Sequence, residues 1–332
     1  MEGGEWTLLA GIDEAGYGPR LGPLVSTLVV VRLPAWQDTD LWRLLGAPCQ
    51  DGRPLLARVG KNGLGRPLLY VDDSKRVHLA QHGPVRLELS TLPWLSLDDP
   101  PPTLRALWNR LCPDASVPHP WEGWVEPDAA LPYFADQRAV YQRTALLYQH
   151  LCARHVQVGL IRSVCLFPRE FNAVIRSAHS KAAAAALVLH RLMKALTACL
   201  RPEDRAFVTV DRLGGRVHYR SLLAAVLSDG WVWTCDESAQ TSRYRYSFGR
   251  GRLHIAFQVR ADRTCFPVAL ASMVSKYMRE LLMAQMNHYW QAHLPGLRPT
   301  AGYGRDARRF WQEIGPLCRR LDVPEACVWR DR

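Results

Sequence analysis

No Cys-x-x-Cys pair occurs among the nine cysteines, which scatter from Cys49 to Cys327. An odd count without paired spacing argues against a disulfide framework or a zinc knuckle and for reduced thiols. The histidines lack metal-ligand spacing as well: His150 and His155, like His288 and His293, are five apart and fall off a common helix face. No apolar run is long enough to cross a bilayer, so no membrane partner is expected. The start Met1-Glu2-Gly3-Gly4-Glu5 is acidic and has no basic n-region, so no secretory leader is expected and the cytoplasm is the expected location. There is no internal repeat, and no low-complexity tract beyond the alanine run from Ala182 to Ala186.

What is present is a globular composition, 48% hydrophobic over 332 residues, enough for a substantial core. A chain of this length forms one large domain or two moderate ones. Lys and Arg total 42 against 31 Asp and Glu, a formal charge of +11 that favours an anionic partner, with nucleic acid the commonest large one. The charge alone fits a solvated basic surface equally well. Most of it is arginine, whose fork suits phosphate.

Strand signals alternate with helix signals, which indicates an α/β layer fold. Trp6 to Ile12 and Leu24 to Arg32 read as strands joined by a glycine and proline loop. Leu68 to Val71, Gln157 to Leu166, Ala206 to Val210 and Trp231 to Cys235 read as further strands. Ser242 to Phe248 and Leu253 to Val259 flank Gly249-Arg250-Gly251-Arg252 as a basic hairpin-like pair. Helices are predicted at Asp40 to Leu45, Ala135 to His155, Ser180 to Leu200, Ser221 to Ser228 (a short one) and Pro267 to Ala292. A turn or helix begins at Pro168. Residues 90–135 look irregular, and the tryptophans from Trp94 to Trp124 are expected to form a local core there.

Three apolar segments end in acids: Ile12-Asp13-Glu14, Val210-Asp211 and Val259-Arg260-Ala261-Asp262. Taken singly, each acid reads as a turn residue or helix cap, Asp262 above all, because a helix follows it. Taken together, acids at the ends of several strands of one sheet form a carboxylate cluster that repels itself unless cations occupy it. Two hard cations about 3.5–4 Å apart are the usual device for in-line phosphodiester hydrolysis. Gly16 and Gly18 beside the first acids permit close backbone approach.

Asp13-Glu14-Ala15-Gly16-Tyr17-Gly18-Pro19 with Gly22-Pro23 resembles the signature of the ribonuclease HII family, normally Asp-Glu-Ala-Gly-Arg-Gly-Pro followed by Gly-Pro. Further segments resemble later family motifs in the family's order: Asp73-Ser74-Lys75, Phe171-Asn172, Val208 to Asp211, Ala261-Asp262 with Val268 to Glu280, and Gly302-Tyr303-Gly304. The resemblance implies a ribonuclease H-like fold: a mixed sheet flanked by helices, with a helical C-terminal part from about 267. It implies Asp13, Glu14, Asp211 and Asp262 as catalytic ligands of two Mg²⁺ or Mn²⁺ ions. The implied substrate is the RNA strand of an RNA/DNA hybrid or a ribonucleotide embedded in duplex DNA. With the resemblance, the whole chain, 1–332, is expected to be a single ribonuclease H-like catalytic domain, and a monomer is the accompanying expectation.

Gly16, Tyr17 and Gly18 are then expected to read the 2′-hydroxyl. Ser74 and Lys75 would hold a substrate phosphate, or else form a surface turn. Ser272 and Lys276 share a helix face, from which Lys276 would approach the acids or the phosphate. Tyr303 would pack on the neighbouring deoxyribose, or else be an ordinary loop tyrosine. The chain departs from the family in three ways. Tyr17 replaces the usual Arg or Lys, Arg305 replaces a usual Thr, and insertions are expected at about 34–66 and 90–155. Arg243, Arg245, Arg250 and Arg252 interleave with Tyr244, Tyr246 and Phe248, which suits nucleic acid or a half-buried strand with a charged outer face. Two other readings stay open: a nuclease of this fold with a shifted substrate, and a non-catalytic nucleic-acid-binding relative.

Overall fold

The computed structural model describes residues 6–49, 52–60, 67–78, 83–115, 123–201, 204–227, 230–248 and 251–331. Gly249 and Arg250, the expected tip of the basic hairpin, lie outside the described residues, as do residues 61–66 and 116–122 of the expected insertions.

Seven strands form one mixed sheet: β1 (Trp6–Ala15), β2 (Leu24–Pro34), β5 (Gln157–Leu166), β6 (Arg205–Asp211), β7 (Trp231–Glu237), β8 (Thr241–Phe248) and β9 (Gly251–Gln258). Their order is β5-β2-β1-β6-β9-β8-β7. β1 runs antiparallel to β2 and parallel to β6, and β9 runs parallel to β6 and antiparallel to β8. β2 is buried along almost its whole length, as its unbroken apolar run Thr27 to Val31 requires of a central strand. The two-residue strands β3 (Leu56–Ala57) and β4 (Leu69–Tyr70) pair apart from this sheet.

Among the described residues the helices are α1 (Leu41–Leu45), α2 (Ser74–Val77), α3 (Gly83–Thr91), α4 (Leu104–Leu111), α5 (Gln137–Ala153), α6 (Pro168–Ala178), α7 (Lys181–Ala198), α8 (Arg220–Val226), α9 (Phe266–His293) and α10 (Gly304–Arg320). On one side of the sheet α6, α7 and α8 bury Leu8, Ala10 and Ile12 of β1 with Val208 and Val210 of β6. On the other side α9 lies across β1 and β2 and packs on Val25 and Val29. At 28 residues α9 is about 42 Å long. It is apolar on nearly every face because other helices enclose it.

Residues 90–135 are less irregular than their sequence predicts. They hold a 3₁₀ turn at Leu92–Leu95 and α4, and α3 directly precedes them. Their tryptophans also do more than fill a local core. Trp94 sets its edge on Phe266 at the start of α9, while Trp108 and Trp124 pack on Phe167 before α6. Glu88 of α3, fully buried, clamps this region to the central helix. Its carboxylate accepts from the backbone N–H groups of Tyr133, Phe134 and Ala135 and from the Tyr277 hydroxyl of α9.

Candidate active site

β1 does not stop at Ile12, as its sequence predicts. It stays paired to β2 through Asp13, Glu14 and Ala15, while its parallel pairing to β6 ends at Ile12–Val210. Asp13 and Asp211 are therefore the next residues on adjacent strands, about 4.8 Å apart in backbone terms. Both lie on the α9 side of the sheet, because Ile12 and Val210 face the opposite core.

Asp262 reaches the same place by a turn. After β9, Arg260 adopts a left-handed conformation (φ 55°) and Ala261–Arg263 forms a 3₁₀ turn. The Ala261 N–H then donates to Asp211 Oδ1 at 2.8 Å. Asp262 therefore does not cap α9, whose N-cap is Cys265.

The four acids feel one another. Burial pushes the Asp13 carboxyl well above the ordinary carboxylate range, and the charges of Glu14 and Asp211 push it further. Burial, then Asp211, raises Glu14 to about 7. Burial raises Asp211, while the N–H groups of Ala261 and Arg212 and the charge of Lys75 pull it back. Burial, then Asp73 and Asp211, raises Asp262 to about 6. Asp211 is thus the common neighbour of the other three. Lys75 is the cation whose charge reaches both Glu14 and Asp211.

The other predicted residues divide into two groups. Ser74 and Ser272 are buried and bonded to each other at 3.1 Å, and Ser272 also bonds the Asp13 carboxyl. They hold the acid in place. Ser275 and Ser26 do the same for its backbone, each donating to the Asp13 carbonyl at 3.0 Å. Lys276 pairs with Glu280 at 2.5 Å, one turn further along α9, and does not point at the acids.

Gly16 has φ +88°, and a Cβ there would meet the Pro23 carbonyl at 2.4 Å. Glycine is required for this turn. Tyr17 lies half-buried with Lys181 4.8 Å above its ring. Tyr303, 49% exposed, lies 3.9 Å from where a Cβ of Gly18 would be, so the early loop and the late Gly-Tyr-Gly motif face each other.

Sequence reasoning missed four residues here. Asp73 adds charge beside Asp262 and also caps α2 through the Lys75 N–H. Asp72, fully buried, is satisfied by Arg58, Arg76 and two backbone N–H groups. Arg279 of α9 donates to the Leu21 and Ala301 carbonyls. Arg330 braces the Gly16-Tyr17 loop from the far end of the chain. Asp73 and Arg279 had a signal available, Asp73 as the first letter of the Asp-Ser-Lys motif and Arg279 within the Val268 to Glu280 motif.

A cluster of oxygen donors without sulfur or imidazole is suited to hard divalent cations. Four carboxylates raised by burial, three of them also by the charge of Asp211, with Lys75 at their margin, fit such ions. Among the described residues, no three His, Cys, Asp or Glu side chains converge into a ready-made metal cage.

No protein-family model matches the chain, and no curated protein matches it in sequence. Solved structures do. The ribonuclease HII in the PCNA:RNase HII complex from Archaeoglobus fulgidus aligns over 98% of this chain and 94% of its own, at 16% identity and TM-score 0.46. Ribonuclease H2 from Pyrococcus horikoshii OT3 aligns over 97% and 92%, at 14% identity and TM-score 0.42. Bst-RNase HIII in complex with Mn²⁺ aligns over 98% of this chain and 66% of its own, at 14% identity and TM-score 0.42.

Proposed function

We propose that this chain is a metal-dependent endoribonuclease that cleaves the RNA strand of RNA/DNA hybrids, or a ribonucleotide embedded in duplex DNA. One observation carries the reading. Asp13, Glu14, Asp211 and Asp262 come from three separate stretches of chain and gather at one sheet edge, where burial disfavours the charge on each and the charge of Asp211 adds to it on the other three. Such repulsion destabilises a purely structural site and is relieved by cations.

Asp13, Glu14, Asp211 and Asp262 would hold two divalent ions, Mg²⁺ or Mn²⁺. When bound, these supply an activated water and stabilise the leaving oxygen. The chain's own groups do the rest. Ser272 fixes the Asp13 carboxyl, and the Ala261 N–H fixes Asp211. Lys75 offsets charge at the margin of the cluster, where a substrate phosphate would approach. The Gly16–Gly18 loop offers backbone groups to a 2′-hydroxyl, and exposed Tyr303 offers a ring to the adjacent sugar. The protein acts as a monomer in the cytoplasm, as one domain with the 34–66 and 90–155 segments as its additions.

The test is a cleavage assay with Mg²⁺ or Mn²⁺ on a hybrid, a duplex with one ribonucleotide, and plain DNA. Cutting of the first two and not the third is expected, with Asp13→Asn and Asp211→Asn inactive but still binding. Cutting of plain DNA would point to a shifted substrate. Binding of all three without cutting would mean a non-catalytic relative.

A further inference from the structure

The side of the sheet that carries Asp13 and Asp211 is covered by α9 only over β1, β2 and the margin of β6. Beyond that, among the described residues, it carries exposed side chains on β6, β9, β8 and β7. Strand alternation fixes which residues stand on the open side. Ala206, Val208, Tyr244, Tyr246, Leu253 and Ile255 are buried against α7 and α8 on the opposite side. Their alternates Arg205, Arg243, Arg245, Arg252 and His254 are exposed.

Two tryptophans of β7 share this face. Trp231 is 77% exposed and Trp233 44%. One row runs straight across the four strands by register: Trp233, Arg245, His254, Phe207. Within it the Arg245 guanidinium lies 5.4 Å over Trp233, and His254 stacks on Phe207 at 5.0 Å with the planes 19° apart. Arg205 lies 5.3 Å over the same Phe207 ring. A neighbouring row brings together Trp231, Ser247, Arg252 and Arg205. Short of Asp211 at its far end, Asp236 is the one carboxylate among the described residues of this face, and it sits 3.7 Å from Arg243.

We propose that this open sheet face binds single-stranded nucleic acid. Charge complementarity points to it: four arginines face one carboxylate on a surface about 15 Å wide. So does shape. Projecting rings on a flat sheet offer stacking platforms to unpaired bases, whereas a duplex keeps its bases stacked inside. The face is also continuous with the acid cluster, since Phe207, Thr209 and Asp211 alternate along one side of β6. The Phe207 row lies about 13 Å from Asp211, four residues along the strand. A single-stranded flank lying on this face would therefore lead to the acids. The inference stands on the sheet face and does not require the chain to be a nuclease.

The test uses the full chain in chelator, so that no cleavage enters, and reads fluorescence anisotropy of a labelled oligouridine, an oligothymidine and a blunt duplex. The unmodified protein is expected to bind the two single strands and to lose affinity with salt. Trp231→Ala with Trp233→Ala is expected to weaken single-strand binding by about tenfold or more while leaving duplex binding unchanged. Trp231→Tyr, which keeps a ring, is expected to retain it. Arg243→Glu with Arg245→Glu is expected to weaken binding and to flatten its salt dependence. All these side chains are exposed, and an unchanged melting temperature confirms that the variants fold. Single-strand affinity unaltered in both double variants would overturn the proposal. So would a shift from dimer to monomer in sedimentation on Trp231→Ala, which would mean that a second copy covers the face.

Discussion

Arg330 donates from Nη1 to the Gly16 carbonyl at 2.5 Å and from Nη2 to the Tyr17 carbonyl at 3.2 Å, across 314 and 313 residues of sequence. It is fully buried, with its guanidinium 3.7 Å over the Phe171 ring. The contact is part of a latch. The Arg330 N–H donates to the Arg20 carbonyl, Asn172 Nδ2 donates to the Trp329 carbonyl, and the Asp331 N–H donates back to Asn172 Oδ1. Burial and the neighbouring Arg279 both disfavour the charge on Arg330, so its place depends on the carbonyls it serves. Arg330→Met is expected to cost about 2–4 kcal/mol, because the buried Gly16 carbonyl and the part-buried Tyr17 carbonyl lose a charged donor. Arg330→Lys should recover only part, lacking the fork. Chemical denaturation of the three proteins checks this, and equal midpoints would mean that the latch does not hold the loop.

That contact also marks where sequence reading runs out. Strands and their terminal acids are local patterns, so β1, β2, β5, β6 and the helices α7 and α9 appear close to their predicted bounds. Asp211 is legible because the apolar alternation of β6 stops there. α10 is much less so. Its buried residues Ala307, Phe310, Ile314 and Leu317 recur at helical spacing, but Pro316 interrupts the run and charge surrounds it. Ser74 reads as a phosphate contact or surface turn and Ser272 as a substrate-binding residue, since nothing local says they will be buried against each other. Arg330 carries no pattern, because its role depends on a loop at the other end of the chain.

Arg32 and Asp204 form a buried fork at 2.5 and 3.0 Å, with Arg32 also donating to the Cys199 carbonyl. The pair ties the end of β2 to the approach to β6, the strand that carries Asp211. Removing one partner leaves the other charge buried. Asp204→Ala is therefore expected to destabilise by about 3–5 kcal/mol. The double change Arg32→Met with Asp204→Leu should cost less than the single one, since no orphan charge remains. Urea unfolding of both variants decides it, and a single variant within error of the parent would refute the assignment.

Gly11 sets the distance between β1 and α9. A Cβ there would lie 2.2 Å from the backbone of Pro267 and Val268. Neither neighbour is a flexible side chain, so the helix start must move. Gly11→Ala is expected to cost at least about 1–3 kcal/mol. It should also shift Ser272 relative to Asp13, and so reduce any metal-dependent activity more than it reduces substrate binding. Cleavage rate and affinity measured on the same variant separate the two effects. Parental stability and parental rate together would mean that α9 accommodates the methyl.

The acid cluster gives the metal-free protein a pH dependence of defined sign. Glu14 has an ordinary value of 4.5 and is raised to about 7 in the folded chain, and Asp262 goes from 3.8 to about 6. Between those values the folded state keeps protons that the unfolded chain has released. The contribution to stability is full below the unfolded values and is lost as pH rises through about 6 to 7. In chelator, the melting temperature is therefore expected to fall by several degrees between pH 5 and pH 8. Glu14→Gln should flatten that slope, since its amide has no proton to lose. Mg²⁺ or Mn²⁺ added at pH 8 should raise the melting temperature of the parent and not that of Asp211→Asn, which lacks the carboxylate common to the other three. A slope of opposite sign in the parent, or one unaltered by Glu14→Gln, would show that burial and the neighbouring acids do not hold protons on these carboxylates in the folded protein.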